Sequence, residues 1–203
     1  MEEVNSSFYL PNQVLDRSDK MFKILYDEIN TLWDILNKMP KSQPLRRALI
    51  RSTFSFIEGC CFRLKQNALV FCNEFSPGEI SLLKEKTYIL NDRGIVGEKE
   101  AHLTAKSNLK FAFKAYAKAF NADFKLKVNS EGWKSYLGAL KIRNRITHPK
   151  EFLDLFIEDK DMIKVMEARI WFHGNLTQLL KSSVKSFAKQ ESGKAKNKCG
   201  NDK

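Results

Sequence analysis

The chain has 203 residues, 43% of them hydrophobic, which suits one globular domain with a sizeable core and excludes a disordered chain. Nine glycines and five prolines are few for the turns of an all-β protein, and fifteen phenylalanines predict aromatic packing in the core. Lysine and arginine exceed aspartate and glutamate by 11, a surplus that favours polyanionic partners, nucleic acid first and an anionic membrane surface second.

Residues 1–18 mix polar and apolar groups around Pro11 and predict an irregular arm. The arm lacks a charged-then-apolar leader, and the chain has no run of about 18 apolar residues, so a cytoplasmic, reducing setting without membrane contact is expected. Ser18 and Asp19 offer an N-cap, and Met21, Ile24, Leu25, Ile29, Leu32 and Leu36 then recur at three and four, an amphipathic helix that ends before Pro40. Ser42 caps a second helix with Pro44 in its first turn, and its apolar period runs to about residue 72. Arg46, Arg47 and Arg51 cluster near its start. Glu58 lies beside its apolar stripe, where a carboxylate is either solvated or paired with an arginine. Cys60, Cys61 and Cys72 lack the spacing of a zinc site and read as small buried apolar residues; no metal or cofactor is expected.

Turn signals at Ser76-Pro77-Gly78, Asn91–Gly94 and Gly97 interrupt the helices over 73–100. A short helix over 80–90, starting from Ser76, and a loop over 91–100 are expected there. Residues 101–121 return to the helical period, with Leu109, Phe113, Tyr116 and Phe120 on one core-facing stripe and His102 an ordinary exposed residue. Asn129 or Ser130, with Glu131 behind it, starts the next helix. The final helix presents Ile163, Met166, Ile170, Trp171, Leu176, Leu179, Leu180, Val184 and Phe187 as its apolar face. Gly174 marks a close approach within it, and His173 reads as satisfied or exposed. Residues 19–190 thus form one helical domain, and 191–203 predict a disordered basic tail. Residues 181–203 carry seven lysines against two acids, +5, leaving +6 for residues 1–180, so the tail accounts for about half of the surplus.

Chemistry concentrates in 140–150, where Lys141, Arg143, Arg145 and Lys150 surround His148. Imidazole moves protons near neutral pH, and guanidinium grips phosphate with a planar fork. Pro149 disfavours helical backbone at His148. Residues five apart on an ideal helix differ by about 140° around the axis, so Arg143 and His148 converge only if the chain leaves the helix near Thr147 and turns back.

Arg143-Asn144-Arg145-Ile146-Thr147-His148, late in a helical chain of this size, resembles the arginine–polar–histidine signature of the HEPN superfamily, over roughly residues 20–190 in layout. The resemblance implies an all-α, HEPN-like helical bundle of about five main helices with a helical or loop insertion between the second and third. It also implies a homodimer in which two motifs face one cleft. The activity implied is metal-independent endoribonuclease cleavage of RNA, tRNA or mRNA included, by a toxin or phage-defence effector. An antitoxin or a nucleotidyltransferase is a partner the resemblance leaves room for.

On that reading the ribose 2′-OH attacks the phosphate, His148 acts as base or acid, and Arg143 stabilises the phosphate charge. A 2′,3′-cyclic phosphate results, and DNA is not cut. Asn144, Thr147 and Glu58 support the pair, Glu58 by orienting Arg143 across the bundle. Lys141, Arg145, Lys150, Arg47 and Arg51 bind the RNA backbone. The alternative is a non-catalytic HEPN-like module that binds nucleic acid or protein, and a third reading is an unrelated helical adaptor. The same residues also suit a plain helix C-terminus, where cations are favoured and a His-Pro step stops the helix. What separates these readings is whether Arg143 and His148 face open space or are locked in internal ion pairs.

Overall fold

The computed structural model describes the backbone of residues 12–198 and the side chains of 20–189 other than Cys72. Six α-helices and one two-stranded sheet succeed one another in the order α1 (Asn12–Lys38), α2 (Gln43–Leu69), α3 (Pro77–Leu83), β1 (Lys86–Leu90), β2 (Val96–Glu100), α4 (Ala105–Ala119), α5 (Glu131–Thr147) and α6 (Asp159–Lys198). Short 3-10 turns lie at Cys72–Glu74 and Phe152–Leu155. No helix among the described residues is long and apolar enough to cross a membrane.

Helix α2 is the centre of the bundle. It packs against α1 and α4, while α5 pairs with α6. Its inward residues Leu49, Ile50, Phe54, Ile57, Cys60, Cys61 and Leu64 are all buried. Phe54 meets Tyr136 of α5, and Phe56 meets Phe172 of α6, which also touches Phe113 of α4. The phenylalanines therefore join the layers, as the composition suggests. Burial pushes the Cys61 thiol up to about 12 and the Cys60 thiol higher still, so both stay protonated at neutral pH.

Three of the predicted helices start on the expected caps. Ser76 forms a capping box with Glu79, and the Ser130 hydroxyl accepts the Trp133 N–H at 3.3 Å. Ser42 occupies the cap position of α2 without a side-chain bond, with Pro44 in the first turn.

Other expectations are corrected. The backbone is helical from Asn12, within the segment expected to be an irregular arm, because nothing after Pro11 interrupts the helix; residues 1–11 lie outside the described residues. The helix expected over 80–90 stops at Leu83, and Glu85 takes φ 58°. A β-hairpin then replaces the rest of that helix and the expected loop, with Lys86 opposite Glu100 and Leu90 opposite Val96. Thr87, Tyr88 and Ile89 prefer the pleated backbone. Asn91 closes the turn by accepting the Arg93 and Ile95 N–H groups, and Gly94 supplies φ +72°. The buried Lys65 ammonium ties this insertion to the bundle through Glu85 at 2.6 Å and Asn108 at 2.7 Å.

On α6, Ile163, Ile170, Leu180, Val184 and Phe187 point outward instead of into the core. Gly174 has open space around it. The close approach is at Gly132, where a Cβ would sit 2.5 Å from the Trp171 ring. The α6 backbone continues through 191–198, in the segment expected to be disordered, since Lys, Glu and Ala sustain a helix; 199–203 lie outside the described residues.

Candidate functional site

Helix α5 is fixed at both ends of its inward stripe. Trp133 and Tyr136 stack on one another and meet the Trp171 ring of α6 at a tilt, and Ile142 and Ile146 are buried one turn apart. With Ile142 and Ile146 turned inward, the 100° step per residue puts Arg143 on the flank facing α2, and Asn144 and Thr147 are exposed.

The Arg143 guanidinium lies 5.5 Å from the centroid of the Phe54 ring and forms an ion pair with Glu58, both from α2. Its Nη1 donates to Asn144 Oδ1 at 3.0 Å. Burial of the side chain lowers the guanidinium pKa from its usual value, yet the group remains cationic. The Thr147 hydroxyl donates to the Arg143 carbonyl at 2.7 Å, a helical back-bond. Glu58, Arg143, Asn144 and Thr147 therefore form one connected set, and the sequence-predicted partnership of Glu58 with Arg143 is present.

His148 ends the helix. Its N–H donates to the Asn144 carbonyl at 3.0 Å, and its ψ of 62° turns the chain away, at the residue where Pro149 disfavours helix. The imidazole is exposed, and among the described residues it has no hydrogen-bond or ionic partner. Lys141 and Lys150 are also exposed at this end of α5 without ion pairs, although the Lys150 N–H donates to Asp154.

Arg47, Arg51 and Arg145 each make bonds within the protein. Arg47 donates to the Leu155 carbonyl at 2.8 Å, and Arg51 to the Ile146 carbonyl at 2.9 Å. Arg145 donates to the Phe156 carbonyl and to Asp161, both at 3.0 Å. These guanidiniums satisfy carbonyls that the end of α5 and the turns after it leave open, while Arg51 stays exposed and Arg47 and Arg145 half-buried. Arg46, which sequence reading placed only in a cluster, is the most buried of them. It donates to the Pro40 and Ile157 carbonyls, each at 2.8 Å, and pairs with Asp159. No local pattern announces the bonds to Ile157 and Asp159, because those partners lie more than a hundred residues away.

The segment after the motif carries a feature that helical periodicity could not locate. Phe152, Leu153 and Phe156 are exposed, Phe152 at 81%, and Ile163 in the first turns of α6 is exposed as well. Among the described residues no group of three His, Cys, Asp or Glu side chains is arranged to hold a metal ion. Comparison of the chain with family models, with curated proteins and with solved structures found no match, so the functional reading of this site rests on its own residues.

Proposed function

We propose that the chain is a metal-independent endoribonuclease of the HEPN type. The observation that carries this reading is the Arg143 guanidinium, held between Glu58 and Phe54 while His148 is left uncovered on the same helix end. A guanidinium has five N–H donors. Glu58 and Asn144 take donors from two of its nitrogens, and the remainder suit two phosphate oxygens.

A phosphodiester bound there has its 2′-OH deprotonated by a neutral imidazole, while Arg143 stabilises the charge that builds on the equatorial oxygens. The O2′–P bond forms, the P–O5′ bond breaks, and the leaving oxygen takes a proton from an imidazolium. One His148 cannot hold both protonation states at once. Two copies paired through Phe152, Leu153, Phe156 and Ile163 would set two histidines at one cleft, and burying these apolar groups favours such pairing. A toxin or phage-defence effector working in the cytoplasm is the setting this reading implies.

The Glu58–Arg143 pair also favours a second reading. A guanidinium already neutralised by a carboxylate suits a non-catalytic module that binds nucleic acid or protein with this fold.

An RNA cleavage assay in excess chelator decides between them, with His148→Ala, Arg143→Ala and Glu58→Gln proteins of matched folding. The first reading expects wild-type cleavage that leaves cyclic-phosphate ends, with losses of at least about 100-fold for His148→Ala. Wild-type protein that is inert on varied RNAs, tRNA included, moves the binding module ahead. Equal cleavage by all variants removes the motif from the reaction.

A further inference from the structure

A uniformly charged surface lies on α4. Between residues 101 and 128 the chain has six lysines and a single carboxylate, Asp123. Lys106, Lys110, Lys114 and Lys118 fall four apart and so form one ridge, about 6 Å from one ammonium-bearing residue to the next. Lys118 is taken by Glu79 at 3.1 Å. Lys106, Lys110 and Lys114 are exposed, and none has a carboxylate partner among the described residues. Glu131, the nearest acid at the start of α5, is itself paired with Lys134. Like charges at this spacing repel, so folding alone gives no reason for the arrangement.

Beside the ridge lies a cleft of about 320 Å³ walled by Lys110, Lys114 and Lys125, with Phe113, Phe124 and Leu126 among its apolar lining. No acidic side chain lines it. The Phe124 ring is half-buried and leans on the buried Phe113 ring at 5.9 Å. The segment that carries Phe124 and Lys125 is tied to α6 on either side of them. The Asp123 carbonyl accepts from the Ser182 hydroxyl at 3.1 Å, and the Lys127 carbonyl accepts from the Trp171 indole at 3.1 Å. Lys110 lies 5.1 Å over Trp133 at the start of α5, and Arg143 is roughly 15 Å farther along that helix.

A row of ammonium groups beside a rigid aromatic cleft is the chemistry that tracks a single strand, the cations following phosphates and the ring receiving a base. From this juxtaposition we infer that the α4 ridge and its cleft bind single-stranded RNA, as a substrate-holding surface separate from the cleaving residues. The inference rests on RNA being the substrate class. A duplex is excluded by the need for a free base at Phe124, and an anionic membrane would use the lysines but not the cleft.

The test measures binding of a labelled, unstructured RNA of roughly 12 nucleotides to protein carrying Arg143→Ala and His148→Ala, so that cleavage cannot intervene. Lys110→Gln/Lys114→Gln/Lys125→Gln is expected to weaken binding at least about tenfold. It should also flatten the slope of log affinity against log salt by about 2, the value for three single-strand phosphate contacts. Phe124→Leu, which keeps an apolar side chain on Phe113, is expected to weaken it about fivefold. A control with the same charge change, Lys38→Gln/Lys84→Gln/Lys99→Gln, should shift affinity less than about threefold. Equal effects of the two triple substitutions, no effect of Phe124→Leu, or RNA that does not bind at all each overturn the inference. So does loss of binding to phosphatidylserine vesicles with RNA binding intact, which assigns the ridge to a membrane. Wild-type protein that binds through the ridge but does not cut RNA leaves this surface standing and removes the ribonuclease reading instead.

Discussion

The molecule has two basic regions, and they use their cations in opposite ways. Where α2 meets the segment after α5, Arg46, Arg47, Arg51 and Arg145 all donate to carbonyls or carboxylates of the protein itself. On α4, Lys106, Lys110 and Lys114 are exposed without carboxylate partners among the described residues, Lys110 lying over the Trp133 ring. The planar, weakly hydrated guanidinium suits fixed internal bonds, and the strongly hydrated ammonium suits an open surface. Net charge counts the two regions alike, although the arginines spend donors on the protein itself and Lys106, Lys110 and Lys114 spend none on a carboxylate among the described residues. Arg143 sits between the two classes, paired with Glu58 yet at the surface.

Substitutions at matched positions can break this contrast. The largest effect is expected for Arg46→Ala. It takes the side-chain donor from the Pro40 carbonyl, leaves the Ile157 carbonyl to Gln43 and unpairs Asp159, and should lower unfolding free energy by about 3 kcal/mol in urea titrations. A loss under about 0.5 kcal/mol would mean that the arginine junction is as dispensable as a surface. Arg145→Ala comes next, at about 2 kcal/mol, because it leaves the buried Asp161 carboxylate without its cation.

Acid should sharpen the comparison. Hydrogen bonds from Lys41 and Arg46 hold the Asp159 carboxyl below its ordinary value. A depressed carboxyl contributes stability above its unfolded pKa and loses it as pH falls through the folded one. Melting temperature should therefore drop as pH goes below about 4, and Asp159→Asn should make that limb shallower. An unchanged limb would place the acid sensitivity elsewhere. The smallest effect is expected on α4. Lys114→Gln relieves repulsion four residues apart and should leave stability unchanged or raise it by about 0.2–0.5 kcal/mol. A clear loss would show that this lysine is structural.

Much of the fold was legible because its signals are local. Ser76 and Ser130 announce their helices through the hydrogen bonds that they then make, and Pro149 ends α5 at His148. The hairpin was missed because Thr87, Tyr88 and Ile89 sit between turn residues that suit a loop equally well, and cross-strand pairing is not visible along one strand. The face of α6 was misread because Ile163 and Ile170 satisfy a helical period whether they meet a core or a partner. Within the candidate site, the pairing of Glu58 with Arg143 was legible as one option among several. The internal duties of Arg47, Arg51 and Arg145 were not, since their acceptors are backbone carbonyls made available only by where the chain turns.

By itself the sequence determined the elements whose causes lie within one or two turns of chain: the helices, their caps, the stop at His148 and the overall positive charge. The tertiary structure alone decided which cations remain available. An arginine becomes a structural bond only when a distant carbonyl arrives beside it, as Ile157 does at Arg46, and a lysine ridge becomes a surface only when no carboxylate arrives. Those encounters depend on how α2, α4, α5 and α6 pack, which no window of the sequence contains.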